Sequence, residues 1–423
     1  MNKEQFSIVS DILKLLSIQS FTGDELGIRK CQEFIVALAT KMGFCSSFHG
    51  SGKVLIIEPK HNKAIPKLGI VVHVDTVPYE EKNWKHNPLG EISESRIYGR
   101  GIIDDKGPII LAMYAMYSLR EEIDNSWQII IGSSEEDEWI DMEEFLKEIP
   151  TLPSFLVTID GDGVLNGCRG YLDLSLSFLR ETSGKKHITN FFVPNGMKNT
   201  IPKKAFAEID GNLVAGFGKE VHSSIPEQGS SAITDLAINI KKDFSEPYAE
   251  YSKMFDFLEE LHNNHTETSI GLSLITSQEV GTSVSATTAV MEGECIQINL
   301  NVRLGPGRGK TDVYSAISYI SSKYGCKIDI QKFILPSYID PNQKEFQAMS
   351  DAYNEVLNTK PNITIAKGLG YNAALPNCAI FGPRFDVNDD DEPESCHQAD
   401  ENRSLENLFK FYEILKKFLR KVL

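Results

Sequence analysis

The chain has 423 residues, of which 41% are hydrophobic and 24% are charged. This composition is typical of a folded globular protein, and the length exceeds what a single core usually fills, so we predict two domains. The net charge of −16 argues against nucleic acid or an anionic membrane as a partner, because both require basic surfaces.

The N-terminal residues predict an amphipathic first helix and not a signal peptide. Apolar side chains recur at helical spacing, and two charged residues interrupt them. The apolar positions are Phe6, Val9, Leu13 and Leu16, and the charged ones are Asp11 and Lys14. The chain has no run of eighteen or more uncharged apolar residues, so we expect no membrane span. Its seven scattered cysteines form no CxxC pair, which favours reduced thiols and a cytoplasmic location.

Apolar runs typical of buried strands alternate with a helical stretch through the first third of the chain. We predict strands at 53–58, 68–74, 127–132 and 155–159, and a helix at 108–120. Strands separated by helices predict an α/β fold with a mixed, mostly parallel sheet flanked by helices. In such folds the chemistry gathers at the carboxyl ends of the strands.

From about residue 171 the pattern changes to one typical of an antiparallel sheet that carries helices. Residues 171–178 and 295–302 alternate, and residues 230–242 are helical. A helix at 343–356, a strand at 379–381 and a helix at 405–419 predict a return to the first domain, and the acidic run at 389–392 predicts a loop. We therefore expect a domain of residues 1–170 and 336–423, with an inserted α+β domain of residues 171–335.

Two segments near the start of the first domain could contribute metal ligands. His73 and Asp75 are two residues apart on an extended segment, so both side chains share one face. Alone, His73 is a structural histidine about as often as a ligand. Asp104 and Asp105 follow a glycine-rich stretch and open a helical run, which suits a divalent cation or an N-cap, or both.

Three more candidate segments follow further along the chain. Glu135 and Glu136 come just after a strand, which allows one of them to bind metal and the other to transfer protons, although a surface acidic patch is the plainer interpretation. Asp160 also follows an apolar strand, where a solvated turn is the alternative. His397 lies far along the chain. Taken together, the five segments supply a shared carboxylate and two ligands for each of two zinc ions.

Four motifs in this order resemble a known family. They are HVDTVP at 73–78, GRGIIDDKG at 99–107, SSEEDEW at 133–139 and HQADE at 397–401. The chain resembles the co-catalytic zinc amidohydrolases, the family of aminoacylases, carnosinases, succinyl-diaminopimelate desuccinylase and bacterial dipeptidases. It is most similar in appearance to the large dipeptidases of Gram-positive bacteria. The resemblance implies that the first domain is a zinc-peptidase catalytic domain and that the inserted domain is a lid.

The resemblance also implies a ligand set for two zinc ions, which cobalt or manganese could replace. His73 and Asp160 would hold one ion, Glu136 and His397 the other, and Asp104 would bridge them. It further implies a cis peptide bond after this bridging residue.

Further roles follow from the same resemblance. Asp75 would contact the ring of His73 on the side away from the metal ion, and Glu135 would be the general base. The segment 218–227 resembles the lid segment whose histidine reaches the scissile carbonyl, so His222 would stabilise the oxyanion. Asn199 and Arg303 would bind the substrate carboxylate. Without the resemblance, His222 is a polar loop residue and Arg303 is equally a surface strand residue.

The sequence departs from the family pattern at residues 368–373. The family's Gly-Gly-Thr appears here with Gly370 in place of the Thr, and Ala373 lies where dipeptidases often have a basic residue. Because this loop shapes the substrate site, the departure bears on which substrate is cleaved.

We expect a metallodipeptidase that acts on a dipeptide or related small peptide. The alternative is an N-acyl-amino-acid amidohydrolase of the deacylase or desuccinylase type, whose substrate lacks the free amine. A protein that has lost catalysis and only binds its ligand is a distant third, because the base and the ligand positions are all present. The size of the inserted domain favours a monomer over a dimer.

Overall fold

The structure is a computed structural model. It describes residues 1–63, 65–149, 151–182, 187–264, 271, 281–366, 368–385 and 396–423, and the loop predicted at 389–392 lies outside these residues. The chain forms two compact units. The first comprises Met1–Gly167, Tyr338–Ile365 and Gly370–Leu423, and the second comprises Cys168–Ser337 and Ala366–Leu369.

The described residues form helices and strands in both units. The helices are α1 (Lys3–Leu16), α2 (Glu25–Met42), α3 (Lys106–Leu119), α4 (Ile140–Glu148), α5 (Ala232–Asp243), α6 (Ser245–Glu250), α7 (Ser252–Asn263), α8 (Lys310–Tyr324), α9 (Lys344–Leu357), α10 (Tyr371–Ala374) and α11 (Leu405–Val422). The strands are β1 (Cys45–His49), β2 (Val54–Glu58), β3 (Leu68–His73), β4 (Glu91–Ser93), β5 (Arg96–Tyr98), β6 (Trp127–Gly132), β7 (Phe155–Thr158), β8 (Val164–Cys168), β9 (Gly170–Leu179), β10 (Ile188–Phe192), β11 (Thr200–Ile201), β12 (Lys204–Ile209), β13 (Asn212–Phe217), β14 (Val221–His222), β15 (Ser283–Glu292), β16 (Cys295–Leu304), β17 (Lys327–Ile334), β18 (Ser337–Tyr338), β19 (Thr364–Ala366), β20 (Cys378–Phe381) and β21 (Asn402–Ser404).

The first unit is built on a mixed sheet with the strand order β1-β2-β6-β3-β7-β20-β8. The four central strands β6, β3, β7 and β20 are parallel, whereas β1, β2 and β8 pair antiparallel at the two sides. The predicted fold class, a mixed and mostly parallel sheet flanked by helices, is confirmed.

Alternating side chains of the central strands enter two different cores. Ile70 and Val72 of β3 belong to a large core that includes residues of α1, α2, α3, α9 and α11. Val71 points to the opposite face, where it belongs to a smaller core with residues of α4 and α10. Because both faces are covered, β3 is buried over its whole length and reads as a continuous apolar run in the sequence.

Helix α1 buries Val9 and Leu16 of the predicted apolar positions and partly buries Leu13, but it leaves Phe6 65% exposed. Ile8, Ile12 and Leu15 are fully buried beside them. Asp11 is also buried, because its carboxylate accepts hydrogen bonds from Tyr114 of α3 and from the Lys14 ammonium group. The helix is amphipathic as predicted, and its buried face is wider than the predicted positions.

The second unit has antiparallel sheets and its own core. The larger sheet has the order β15-β16-β9-β17, and a smaller sheet has the order β10-β12-β13. Apolar residues of the larger sheet belong to one core together with residues of α5, α7 and α8. None of the helices in the described ranges is long and apolar enough to span a bilayer. The role of this unit as a lid stays a prediction.

The buried face of α1 predicts which substitution destabilises the first unit. Replacing the fully buried Ile12 by Ala should lower the free energy of unfolding by about 2–5 kcal/mol, because it leaves a cavity in the core. Replacing Phe6 by Ala should change it by no more than about 0.5 kcal/mol. Urea unfolding monitored by tryptophan fluorescence compares the two, and equal losses would contradict this assignment of the buried face.

Candidate metal centre

Three neighbouring parallel strands end at one edge of the first unit's sheet, in the order β6, β3, β7. His73 is the last residue of β3 and pairs with Gly132 at the end of β6. Glu135 and Glu136 follow the end of β6, and Asp160 follows the end of β7 in the same way. The parallel register therefore places the polar residues that follow each strand near one another.

The carboxylate of Asp104 lies between two histidines. Its Oδ1 is 2.8 Å from Nε2 of His73, and its Oδ2 is 2.9 Å from Nε2 of His397. Two groups of side chains that could hold a metal ion share this residue: Asp104 with His73 and Asp160, and Asp104 with Glu136 and His397. Within each group the ligand atoms lie within 4.8 Å of one another. The structure thus brings together all five residues that were predicted as metal ligands.

The donor atoms of these groups fit metal ions. Nε2 of His73 and Oδ1 of Asp104 are buried and lie 2.8 Å apart. Oε1 of Glu136 is also buried and lies 3.0 Å from Nε2 of His397. Imidazole nitrogens combined with carboxylate oxygens are the ligands that zinc accepts. The coordinating atoms of the site therefore face one another, as ligands around a metal ion would.

The carboxylates that crowd the site are hard to ionise together. Burial, followed by the charge of Asp104, raises the pKa of Asp160 to about 7. Burial, followed by the charge of Asp160, raises the pKa of Glu135 well above its ordinary value. Hydrogen bonds to Asp104 and Glu136 raise the pKa of His397 to about 10. The cluster therefore retains protons that bound cations would replace.

Asp105 lies next to the shared carboxylate and is fully buried. The peptide bond between Asp104 and Asp105 is cis, which confirms the prediction from the family resemblance. Asp105 occupies the N-cap position of α3, yet within the described part of the chain its side chain makes no capping hydrogen bond to the helix. Its Oδ2 instead accepts a hydrogen bond of 3.3 Å from the backbone N–H of His73.

Asp75 makes contacts with both neighbouring segments of the site. Nδ1 of His73 lies 2.9 Å from the Asp75 carbonyl oxygen and 3.4 Å from its carboxylate, which turns Nε2 of the ring toward Asp104. The two carboxylate oxygens of Asp75 also accept hydrogen bonds from the backbone N–H groups of Glu135 and Glu136, at 3.2 and 3.3 Å. This second contact, which fixes the turn after β6, was not predicted.

Tyr371 and Asp141 support the same turn after β6, and neither residue was predicted from the sequence to belong to the site. The buried hydroxyl of Tyr371 donates to Oδ2 of Asp141, and the same oxygen accepts the backbone N–H groups of Ser133 and Ser134, at 2.6 and 3.2 Å. A Cβ atom on Gly132 would lie 2.1 Å from the tyrosine hydroxyl. A glycine at the end of a buried strand is the one sequence signal of this close approach.

Glu401 is a further missed residue, and it joins two segments that are distant in sequence. Its carboxylate is fully buried and accepts hydrogen bonds from the backbone N–H groups of Gly101 and Ile103, at 3.0 and 2.9 Å. It also accepts one of 2.7 Å from Nη1 of Arg100. Glu401 follows His397 by four residues, so it fixes the histidine segment to the loop that carries the shared carboxylate.

The altered loop at 368–373 contacts the proposed base directly. A Cβ atom on Gly370 would lie 2.8 Å from Oε1 of Glu135. The backbone of Gly370 is extended, so glycine is not required there by its φ angle. A side chain at this position would require the Glu135 carboxylate to shift, so the departure from the family pattern affects the space around this carboxylate.

Three predicted residues lie in the second unit. His222 lies on β14, which pairs with β11, and β11 begins directly after Asn199. The backbone N–H of Ser223 donates to the Asn199 carbonyl oxygen at 2.9 Å. The guanidinium group of Arg303 lies 4.8 Å from the ring centre of Tyr171 and the residue is only 6% exposed, so it is not a surface strand residue. The roles of these residues in binding substrate stay predictions.

The comparisons with known proteins agree with this fold and site. Residues 69–421 match the profile of the Peptidase family M20/M25/M40, so the chain belongs to this family. The family assignment makes the protein a metallopeptidase, a hydrolase of peptide bonds, and it confirms the resemblance noted in the sequence.

Individual relatives extend over most of the chain. The Beta-Ala-Xaa dipeptidase of Lactobacillus delbrueckii subsp. lactis is 25% identical over 385 residues, which cover 81% of this chain and 79% of that protein. The aminoacylhistidine dipeptidase from Vibrio alginolyticus has a similar fold, with a TM-score of 0.67, 15% identity and coverage of 98% and 96% of the two chains. A dinuclear metal-binding peptidase of the M20 family from Bacillus subtilis, the YXEP protein, has a TM-score of 0.59 at 10% identity, with 99% and 98% coverage.

The buried contacts of Glu401 predict that its removal destabilises the metal-free protein. Glu401→Ala leaves the buried Arg100 guanidinium group without its carboxylate and two backbone N–H groups without their acceptor, which should lower the free energy of unfolding by about 3–5 kcal/mol. Glu406→Ala is the control, because its carboxylate is 76% exposed and pairs with Lys410 on the surface, and it should cost less than about 1 kcal/mol. Denaturant unfolding in the presence of a chelator measures both, and equal values would contradict this role of Glu401.

Proposed function

We propose that the protein is a dipeptidase that uses two zinc ions to hydrolyse the amide bond of a dipeptide or related small peptide. One observation supports the proposal above all others. Asp104 belongs to both candidate ligand groups, and the carboxylate of Glu135 is among the charged groups that surround it. The dipeptidase names of the Lactobacillus delbrueckii and Vibrio alginolyticus relatives favour a small peptide as substrate.

The five ligand residues would bind the two metal ions. His73 and Asp160 would hold one ion, Glu136 and His397 the other, and Asp104 would contribute to both. Bound zinc ions polarise a carbonyl oxygen and make a water molecule more acidic. Mixed nitrogen and oxygen ligands favour zinc, although cobalt or manganese could take its place.

Glu135 is the proposed general base. Its carboxylate takes a proton from the attacking water and then delivers it to the nitrogen of the leaving amine. Burial raises the pKa of Glu135 above that of an ordinary glutamate, and a carboxylate with a raised pKa is a stronger proton acceptor. Asp75 holds the backbone of Glu135 in place through the N–H bond of 3.2 Å.

The second unit supplies the proposed groups that recognise the substrate. Arg303 is suited to bind a carboxylate, because its guanidinium group can donate two parallel hydrogen bonds. Asn199 would assist it, and His222 would donate a hydrogen bond to the oxyanion that forms at the scissile carbonyl. The monomeric state and the cytoplasmic location also stay predictions.

A panel of substrates tests the proposed reaction. Zinc-loaded protein should cleave several dipeptides and leave their N-acetyl forms largely intact, with products quantified by amine-reactive labelling. Cleavage of only the acylated compounds would replace the proposal with an N-acyl-amino-acid amidohydrolase. A metal-loaded protein that binds members of the panel but turns over none would favour a binding protein.

A substitution of the base tests the proposed mechanism. Glu135→Gln should lower kcat by on the order of 10²–10⁴-fold with little loss of bound zinc, because it removes only the proton acceptor. Asp137→Asn is the matched control, since Asp137 is an exposed carboxylate two residues further on, and its kcat should stay within about twofold. Unchanged turnover in Glu135→Gln would remove this residue from the reaction.

A further inference from the structure

Arg169 is a buried arginine of the second unit whose side chain contacts neutral groups of two serines. It lies directly before β9 and is 5% exposed. One terminal nitrogen donates to the carbonyl oxygen of Ser224, and the other lies 3.4 Å from Oγ of Ser283. Burial lowers the pKa of the guanidinium group, and the charge of Glu227 partly offsets this effect. Because burying a charge is costly, the contacts that Arg169 makes must offset that cost.

The residue that accepts the Arg169 hydrogen bond also fixes the ring of His222. The backbone N–H of Ser224 donates to Nδ1 of His222 at 3.2 Å, and Oγ of Ser224 lies 2.7 Å from the same nitrogen. A backbone N–H can only donate, so Nδ1 must be the unprotonated nitrogen of a neutral ring. The ring proton is therefore on Nε2, which is available as a hydrogen-bond donor.

Two arginines also favour the neutral state of this ring. Partial desolvation, followed by the positive charges of Arg303 and Arg169, lowers the pKa of His222 below its ordinary value. At neutral pH the ring is then uncharged, and the contact with Ser224 selects the tautomer. Charge and hydrogen bonding act in the same direction.

We propose that Arg169 is a positioning residue, which anchors Ser224 and thereby holds His222 with its Nε2–H group as the donor. The inference rests on the proposed function of His222 as the oxyanion donor. It adds a residue that the motifs did not indicate, and it gives a role to a buried arginine that donates to the carbonyl oxygen of Ser224.

Nuclear magnetic resonance of the His222 ring nitrogens tests the proposal without any substrate. The signals are assigned by comparison with His222→Gln. The wild-type ring should be the Nε2–H tautomer at pH 7, with a pKa below the ordinary value. In Arg169→Met the pKa should rise and both tautomers should be populated, because the positive charge and the anchor of Ser224 are both lost.

Matched variants separate the charge from the hydrogen bonds. Arg169→Lys keeps the charge, so the pKa should stay low while the tautomer preference weakens. Arg180→Met is the control, because Arg180 is also a largely buried arginine of this unit, with side-chain exposure of 17%, and it contacts Glu294 and the carbonyl oxygen of Ile188. It should leave the His222 signals unchanged.

Arg169→Lys keeps the test decisive if Arg169→Met does not fold, and Ser224→Ala checks the role of the backbone. Ser224→Ala removes only the hydroxyl contact to Nδ1 and keeps the backbone N–H that donates to this nitrogen, so the Nε2–H tautomer should persist. Loss of that tautomer in Ser224→Ala would overturn the proposal, and so would His222 signals in Arg169→Lys that are identical to those of the wild type.

Kinetics provide the second measurement. Arg169→Met should lower kcat by on the order of 10- to 100-fold with a small change in KM, because an oxyanion donor acts mainly in the transition state. In a His222→Ala background the same substitution should have almost no further effect on kcat, whereas additive losses would overturn the proposal. If the wild type cleaves no dipeptide, the proposed function fails. The magnetic resonance measurement of the His222 tautomer still tests whether Arg169 positions the ring.

Discussion

The carboxylate of Asp104 has one oxygen close to His73 and the other close to His397, and this arrangement constrains the rest of the first unit. Asp160, Glu135 and other carboxylates lie around the same point, where burial and mutual repulsion disfavour their charged forms. Metal cations relieve that repulsion. The carboxylates lie close together because the parallel strands β6, β3 and β7 end at one edge of the sheet, where acidic residues follow them.

Buried anions that accept backbone N–H groups hold this arrangement in place. Asp75 accepts from the two residues of the acidic turn, Asp141 accepts from the two serines before it, and Glu401 accepts from the loop before Asp104. Each of these carboxylates joins segments that are separated in space or in sequence. A metal site needs its ligands fixed before the ion binds, and this set of hydrogen bonds provides that rigidity.

Whether a feature could be predicted from the sequence depends on how far apart its interacting residues are in the chain. The strands around His73 could be predicted, because continuous apolar runs with acidic residues after them are local patterns. The contacts of Glu401 could not, because its partners lie about three hundred residues earlier in the chain. The same holds for Tyr371, whose hydroxyl meets Asp141 only once the sheet has formed. The exposure of Phe6 could not be predicted either, because only tertiary packing decides which apolar residues of a helix are covered.

Counting bound zinc ions tests most directly whether Asp104 is shared by two metal ions. Equilibrium dialysis against buffered zinc, followed by elemental analysis, gives the number of ions per chain, and circular dichroism verifies the fold of each variant. If both ions share Asp104, the wild type should bind two ions, His397→Ala one and Asp104→Ala none at the same free zinc concentration. A folded Asp104→Ala protein that still binds two ions would contradict it.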